Sequence, residues 1–145
     1  DLFYKNIAKV RKEVENDRAV LRAFHFFADT ERVAEMIKAL KAKEIKSYLN
    51  LVNESGNSSF CFLQNAYAIG NPAEQSVPLA LALSKEILHG EGACRVHGGG
   101  FGGTIQAYVP HKMLDEYTRA MEEVFGKGSL TLIAIRSIST CALAD

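Results

Sequence analysis

The sequence predicts an α+β fold in which several helices pack against a small antiparallel sheet. Apolar residues recur at helical spacing through most of residues 1–90, and two short alternating stretches flank a run of glycines. A last stretch rich in β-branched residues follows one further helical pattern. Strands grouped around one loop, with helices before and between them, are typical of layered α+β domains.

Three helices are predicted between residues 10 and 59. The first has an apolar face at Val20, Leu21, Phe24 and Phe27, after Val10 and Val14. Asp29-Thr30 is expected to cap a second helix, because short polar side chains accept hydrogen bonds from the free N–H groups at a helix start. The inner face of that helix would carry Val33, Met36, Ile37 and Leu40. A third helix, with Ile45, Tyr48, Leu49 and Val52, is expected to stop at Gly56 in the polar cluster 53–59.

The middle of the chain predicts one buried helix. Phe60 to Leu63 is interpreted as a short buried turn, and Asn71-Pro72 is expected to break the chain. Gln75 to Leu88 is apolar on nearly every face, which is typical of a helix buried on most of its surface.

The last third of the chain predicts the sheet. Strands are expected at Ala93–His97, Thr104–Val109 and Leu130–Ile138, with an amphipathic helix at His111–Phe125 that ends at Gly126. The resulting α-β-β-α-β order lacks only the leading strand of a ferredoxin-like βαββαβ unit. We therefore expect a ferredoxin-like antiparallel sheet whose first strand lies before Asp1, as the absence of an initiator Met also suggests.

Composition excludes several classes of function. The 145 residues carry 17 basic and 17 acidic side chains, so the zero net charge gives no electrostatic basis for general binding to nucleic acids or to anionic membranes. No apolar stretch approaches the length of a membrane span. The cysteines, Cys61, Cys94 and Cys141, are odd in number and widely spaced, which predicts free thiols and a reducing, cytoplasmic location. The histidines lack metal-ligand spacing, and we expect no metal held by this domain alone.

The glycine run is the feature that the predicted fold does not explain. Gly98, Gly99, Gly100, Gly102 and Gly103 surround Phe101, whereas a simple hairpin needs one or two glycines. Such a run costs conformational entropy, and its usual compensation is that backbone N–H groups can converge on an anion or on another loop. A wide structural turn remains the alternative. His97, Ser55 and Ser58 are possible cleft-lining residues, although a strand-end histidine and a helix-end polar turn are the commoner roles.

Three familiar glycine motifs do not fit this run. The dinucleotide fingerprint must open a helix, whereas a strand follows here. The protein-kinase glycine loop would be followed by motifs that the chain lacks, and a P-loop would need a Lys and a Ser or Thr after the glycines.

A longer string is more specific. Residues 92–109, GACRVHGGGFGGTIQAYV, closely resemble the third signature motif of galactokinases, which belong to the GHMP small-molecule kinase superfamily. Upstream, RAVLRA at residues 18–23 and LVNESGNSS at residues 51–59 resemble further segments of that family in the same order and at similar spacing. The sequence departs from the family pattern at His97 and Gly56, where many members carry Thr and His.

The resemblance implies an ATP- and Mg²⁺-dependent, cytoplasmic transferase of galactose metabolism. It implies that residues 1–145 form a single domain of the GHMP C-terminal type, and that the ATP-binding, catalytic N-terminal half belongs to the same enzyme but lies outside this chain. On this basis residues 98–103 would form one wall of the cleft for ATP and sugar, with no catalytic residue in the chain itself. The chain alone would then be inactive.

Two other classes of function stay open from the sequence. The chain could be a galactokinase-like module that binds sugar or nucleotide without turnover. It could also be a free-standing ferredoxin-like interaction domain whose glycine run is purely structural.

Overall fold

Six α-helices and a two-stranded sheet make up the fold in the computed structural model, which describes residues 2–101 and 103–134. The helices are α1 (Leu2–Lys5), α2 (Ile7–Val14), α3 (Asp17–Lys41), α4 (Ile45–Ser58), α5 (Ser76–Leu88) and α6 (Leu114–Phe125). The strands are β1 (Ala93–Val96) and β2 (Ile105–Tyr108). A π-helical turn at Ser59–Leu63 follows α4, and a 3₁₀ turn at His111–Met113 precedes α6. None of the helices in the described part of the chain is both apolar and long enough to cross a bilayer.

Helix α3 is continuous, so the prediction of a helix boundary at Asp29-Thr30 is wrong. The helix is capped at Asn16, whose side-chain oxygen accepts a hydrogen bond from the N–H of Ala19 at 3.0 Å. The Thr30 hydroxyl donates to the carbonyl of Phe26 at 2.7 Å, four residues back, which lets a threonine sit inside a helix. Asp29 instead accepts a hydrogen bond from Arg32 at 2.6 Å.

Gly56 does not stop α4, which runs on to Ser58 and into the π-helical turn. The glycine is needed for packing against β1. A Cβ at this position would lie 2.9 Å from the carbonyl oxygen of Cys94 and 3.0 Å from the Cβ of Arg95. The polar cluster predicted as a turn after the helix therefore lies mostly within it. The buried turn predicted at Phe60 to Leu63 is also wrong, because Phe60 and Phe62 are exposed.

The sheet is covered on both faces. Its strands are antiparallel, with Ala93 opposite Tyr108 and Val96 opposite Ile105. On one face lies α4, whose Tyr48 hydroxyl is 3.0 Å from that of Tyr108. On the other face Ile105 and Ala107 pack against the clusters of α5 and α6, which include Val77, Ala80, Leu81, Leu88, Tyr117 and Met121.

Helices α5 and α6 agree with their predicted ranges to within a few residues. They are joined in the core by a hydrogen bond of 2.7 Å between the hydroxyls of Ser84 and Tyr117. A mostly helical chain with a small antiparallel sheet is compatible with the predicted α+β class. Residues 130–134 of the strand predicted at Leu130–Ile138 have no regular secondary structure, and residues 135–138 lie outside the described residues. The ferredoxin-like arrangement stays a prediction.

Candidate functional site

The glycine loop, residues 98–103, joins the ends of β1 and β2. Its base is closed by the N–H of His97, which donates to the carbonyl of Thr104 at 3.1 Å. The imidazole of His97 lies in an exposed position beside it. Gly98, Gly100 and Gly103 have φ angles of +64°, +75° and +90°. Three of the glycines thus adopt a backbone conformation that strongly favours glycine. Gly102 lies outside the described residues.

Asn65 anchors the loop to the rest of the fold. Its carbonyl oxygen accepts a hydrogen bond from the N–H of Phe101 at 2.8 Å, and its side-chain amide donates to the carbonyl of Gly99 at 3.3 Å. Gly100 lies directly over it: a Cβ there would overlap the carbonyl oxygen of Asn65 and come within 2.8 Å of its Cβ and Cγ atoms. The close approach of two backbones therefore explains Gly100.

The anchor is itself held in place. Asn65 is 2% exposed, and its side-chain oxygen accepts a hydrogen bond of 2.7 Å from the buried hydroxyl of Ser59. The π-helical turn Ser59–Leu63 is followed by Gln64, which adopts the left-handed conformation with φ +56° and turns the chain toward the loop. Local sequence does not single out Asn65, and the one signal it offers is a polar residue that follows an apolar run.

The exposed side of the loop presents backbone donors. Gly98 and Gly99 are exposed, and no described residue accepts a hydrogen bond from the N–H groups of Gly98, Gly99 or Gly100. The φ angles of Gly98 and Gly100 are positive, while that of Gly99 between them is not. Successive N–H groups with alternating conformations of this kind form concave sites for anions. Phe101, 52% exposed, adds an apolar ring beside these donors.

Ser55 and Ser58 lie elsewhere, in a buried polar network between α3, α4 and β1. The Ser55 hydroxyl, fully buried, donates to the carboxylate of Asp29 at 2.7 Å and accepts from the guanidinium of Arg95 at 2.7 Å. The Ser58 hydroxyl is 3.0 Å from Nδ1 of His25. No hydrogen bond among residues 2–101 and 103–134 joins either serine to the glycine loop.

This network places charges around His25. Its Nε2 atom lies 3.9 Å from the carboxylate of Asp29. Burial lowers the pKa of His25 below its usual value; the carboxylate of Asp29 opposes this shift, and Arg95 and Arg32 reinforce it. Arg95 extends from β1 just before the loop, so the network fixes the strand that carries one end of the loop.

Comparison with known proteins shows similarity to bacterial galactokinases. The chain is 28% identical over 115 residues to a galactokinase of Actinobacillus pleuropneumoniae serotype 3, a match that covers 79% of the chain and 28% of that protein. It is 29% identical over 112 residues to the galactokinase of Glaesserella parasuis, a match that covers 77% of the chain and 27% of that protein. It is 27% identical over 109 residues to the galactokinase of Haemophilus influenzae, which covers 75% of the chain and 27% of that protein. No protein-family model matches the sequence.

These matches make the chain a distant relative of galactokinases over about three quarters of its length. The chain spans less than a third of the length of the relatives it matches. The activity of a whole galactokinase is therefore a matter for proposal.

Proposed function

We propose that residues 1–145 are the C-terminal domain of an ATP-dependent sugar kinase of the galactokinase type, a member of the GHMP superfamily. Its reaction would transfer the γ-phosphoryl group of ATP to the C1 hydroxyl of galactose, giving galactose 1-phosphate and ADP. The similarity to galactokinases supports the class of reaction. The observation that carries the role of this chain is the glycine loop, which is hydrogen-bonded to Asn65 and whose N–H groups at Gly98, Gly99 and Gly100 donate to no described residue.

The loop would act as one wall of the cleft. Phosphoryl transfer depends mainly on the positioning of the reactants and on stabilisation of the charge that develops on the phosphoryl oxygens. Backbone N–H groups supply both without side-chain motion, since their positions are fixed by the fold. The N–H groups of Gly98, Gly99 and Gly100 would donate to anionic or hydroxyl oxygens, and His97 would border the same opening.

Ser55 and Ser58 would support this wall from behind. Their hydroxyls are committed to Asp29, Arg95 and His25. They would hold β1, and with it the first residue of the loop, in position. A role as cleft-lining residues would require them to leave these partners.

Mg²⁺, when bound with ATP, would neutralise charge on the phosphates. Among residues 2–101 and 103–134 no group of three or more acidic, histidine or cysteine side chains could hold a metal ion. The donors that this chain offers suit phosphate oxygens, so the metal ligands and the groups that act on the sugar hydroxyl would come from the nucleotide-binding half of the polypeptide.

The complete polypeptide provides the test. We expect it to form galactose 1-phosphate from galactose and ATP, as followed by ADP release and by product analysis, and we expect residues 1–145 alone to form none. Binding of sugar or nucleotide without ADP release would identify a non-catalytic module. A complete polypeptide that neither binds nor phosphorylates sugar would leave the free-standing interaction domain as the better account.

A further inference from the structure

Phe101 has a backbone conformation that its residue type rarely adopts. Five non-glycine residues among those described have a positive φ, and four of them are polar residues just beyond a helix or helical turn: Glu15, Lys43, Gln64 and His89. The left-handed conformation is common at that place. Phe101 has a φ of +55° within a loop, where a bulky side chain makes this conformation unfavourable.

The fold uses the backbone of Phe101 and makes no comparable use of its ring. The N–H group donates to the carbonyl of Asn65 at 2.8 Å, a bond that a glycine would make equally well. The side chain is 52% exposed, belongs to neither core cluster and has no aromatic ring contact with any described residue. A glycine, the residue type on both sides of it, would also avoid the unfavourable backbone conformation. Residues held in such conformations cluster at sites that bind ligands.

The position of the ring narrows the class of ligand. Phe101 directly follows Gly100, and the N–H groups of Gly98, Gly99 and Gly100 donate to no described residue. Consecutive Cα atoms are about 3.8 Å apart, so one small ring-shaped molecule can contact both the aromatic surface and these donors. A ligand that matches both has oxygen atoms at its edge and an apolar face. Pockets for small molecules commonly combine apolar surface with a few polar groups in this way.

We propose that the ring of Phe101 stacks on the apolar face of galactose and is a binding contact for the sugar. The inference rests on the proposed function for the identity of that sugar. In galactose the axial 4-hydroxyl occupies one face of the pyranose and leaves the C–H groups of C3, C4 and C5 together on the other face. The face of an aromatic ring is negative and attracts such polarised C–H groups. In glucose the C–H group of C4 points to the opposite face from those of C3 and C5.

The adenine of ATP is the other flat ring in the reaction, and the position of the donors favours the sugar. The sugar carries the hydroxyl that accepts the phosphoryl group, so it lies next to the reacting phosphate. The adenine is separated from that phosphate by the ribose and two further phosphates. Phe101 adjoins the N–H groups that we place at the reacting end of the cleft, so its ring lies nearer to the sugar than to the base.

Kinetics of the complete polypeptide test the proposal through Phe101→Leu, which keeps an apolar side chain but removes the ring. We expect the KM for galactose to rise about three- to tenfold, as for the loss of an aromatic contact. The KM for ATP and kcat should change by less than about twofold, because the contact is the same before and during the reaction. Phe101→Tyr, which keeps the ring, should recover most of the lost affinity.

Phe26→Leu is the matched control for this substitution. It makes the same chemical change in α3, at a side chain that is 64% exposed and does not belong to the glycine loop. Its KM for galactose should equal that of the unaltered polypeptide.

Nuclear magnetic resonance gives a readout that needs binding but no turnover. Saturation of the aromatic protons of the complete polypeptide should transfer to bound galactose, most strongly to the protons on C3, C4 and C5. The transfer to these protons should fall in Phe101→Leu and should persist in Phe26→Leu.

Phe101→Gly separates a contact with the ligand from a structural role. It should raise the KM for galactose at least as much as Phe101→Leu, because no apolar side chain remains. Its urea midpoint should stay at or above that of the unaltered polypeptide, since relief of the left-handed phenylalanine offsets the added freedom of the unfolded chain.

Three results would overturn this proposal alone. A clearly lower urea midpoint of Phe101→Gly would mean that the ring supports the fold. A rise in the KM for ATP without a rise in that for galactose would place the adenine against the ring. Unchanged kinetics and unchanged saturation transfer in an active Phe101→Leu polypeptide would mean that the ring contacts neither substrate. In each of these cases the kinase proposal would stand, whereas an unaltered polypeptide that neither binds nor phosphorylates galactose would overturn both.

Discussion

The most informative single change in the loop is Gly100→Ala, compared with Gly99→Ala as its matched control. A methyl group at residue 100 would overlap the carbonyl oxygen of Asn65, and it would have to adopt a φ near +75°. At residue 99 nothing lies within 4 Å of the added Cβ, and φ is not positive. The two variants therefore make the same chemical change one residue apart in different surroundings.

The expected magnitude follows from the contacts that residue 100 would disturb. A left-handed alanine costs about 1 kcal/mol. Moving the loop off Asn65 removes the hydrogen bonds of Phe101 and Gly99, worth about 1 kcal/mol each. We expect the anchored state to lose about 3 kcal/mol, equivalent to an exchange rate of the Phe101 amide that rises by roughly two orders of magnitude.

Hydrogen exchange of the Phe101 amide, read together with urea unfolding, is the assay. Because the loop can detach without unfolding the helices, the free energy of unfolding should fall by no more than the free energy of anchoring. Gly99→Ala should leave both quantities close to those of the unaltered chain, within about 0.5 kcal/mol. Equal effects of the two substitutions, or none from either, would refute the close approach of the loop to Asn65 as the reason for Gly100.

The remaining predictions concern the anchor and two titrating side chains. Ser59→Ala leaves the buried oxygen of Asn65 without its donor, so we expect unfolding to become easier by about 1–2 kcal/mol and Phe101 exchange to rise less than in Gly100→Ala; an unchanged urea midpoint would contradict this. The pKa of His25 is lowered in the fold by burial, so the unfolded chain takes up the proton first and stability should fall as the pH drops below about 6.5. His25→Gln should show a flatter pH dependence of the urea midpoint between neutral and mildly acidic pH, and identical profiles would argue against a buried neutral imidazole. Burial and the hydrogen bond with Tyr48 raise the pKa of Tyr108 to about 12, so the unfolded chain ionises first and stability should decline as the pH rises above about 10. Tyr108→Phe should decline less steeply over that range in thermal unfolding, and an equal slope would show that this hydroxyl is not the one responsible.

The sequence was sufficient where the structure depends on local pattern. Alternation predicted β1 and β2, an apolar run predicted α5, and Gly126, with a φ of +94°, ends α6 where expected. These features follow from the period of the side chains and from backbone conformations that few residues adopt.

Residues used in contacts between distant parts of the chain could not be interpreted locally. Asp29 is a residue type common at helix caps, but here it accepts hydrogen bonds from Arg32 of the same helix and from Ser55 of α4. Gly56 is a residue type common at helix ends, but here its missing side chain lets β1 pack closely against α4. When the tertiary contacts of a residue are unknown, its type predicts only the role that it most often has in local structure.

The candidate site divides in the same way. Residues 98–103 could be identified as a candidate site from sequence, because a simple hairpin needs far fewer glycines than this segment contains. Asn65 was missed because its function, to bind a loop 34 residues further along the chain, depends wholly on tertiary structure. Ser55 and Ser58 were singled out for their position in a polar cluster, yet their partners are Asp29, Arg95 and His25.

The kinetics of Gly99→Val in the complete polypeptide test the central claim most directly. Residue 99 has open space around it in this chain, so the added side chain should not disturb folding but would project where ATP and galactose are proposed to meet. We predict an unchanged urea midpoint, together with a kcat/KM for galactose that falls at least about tenfold, as expected when reacting groups are displaced. Unchanged kinetics in a fully folded variant would place the glycine loop away from the reacting groups and contradict the account.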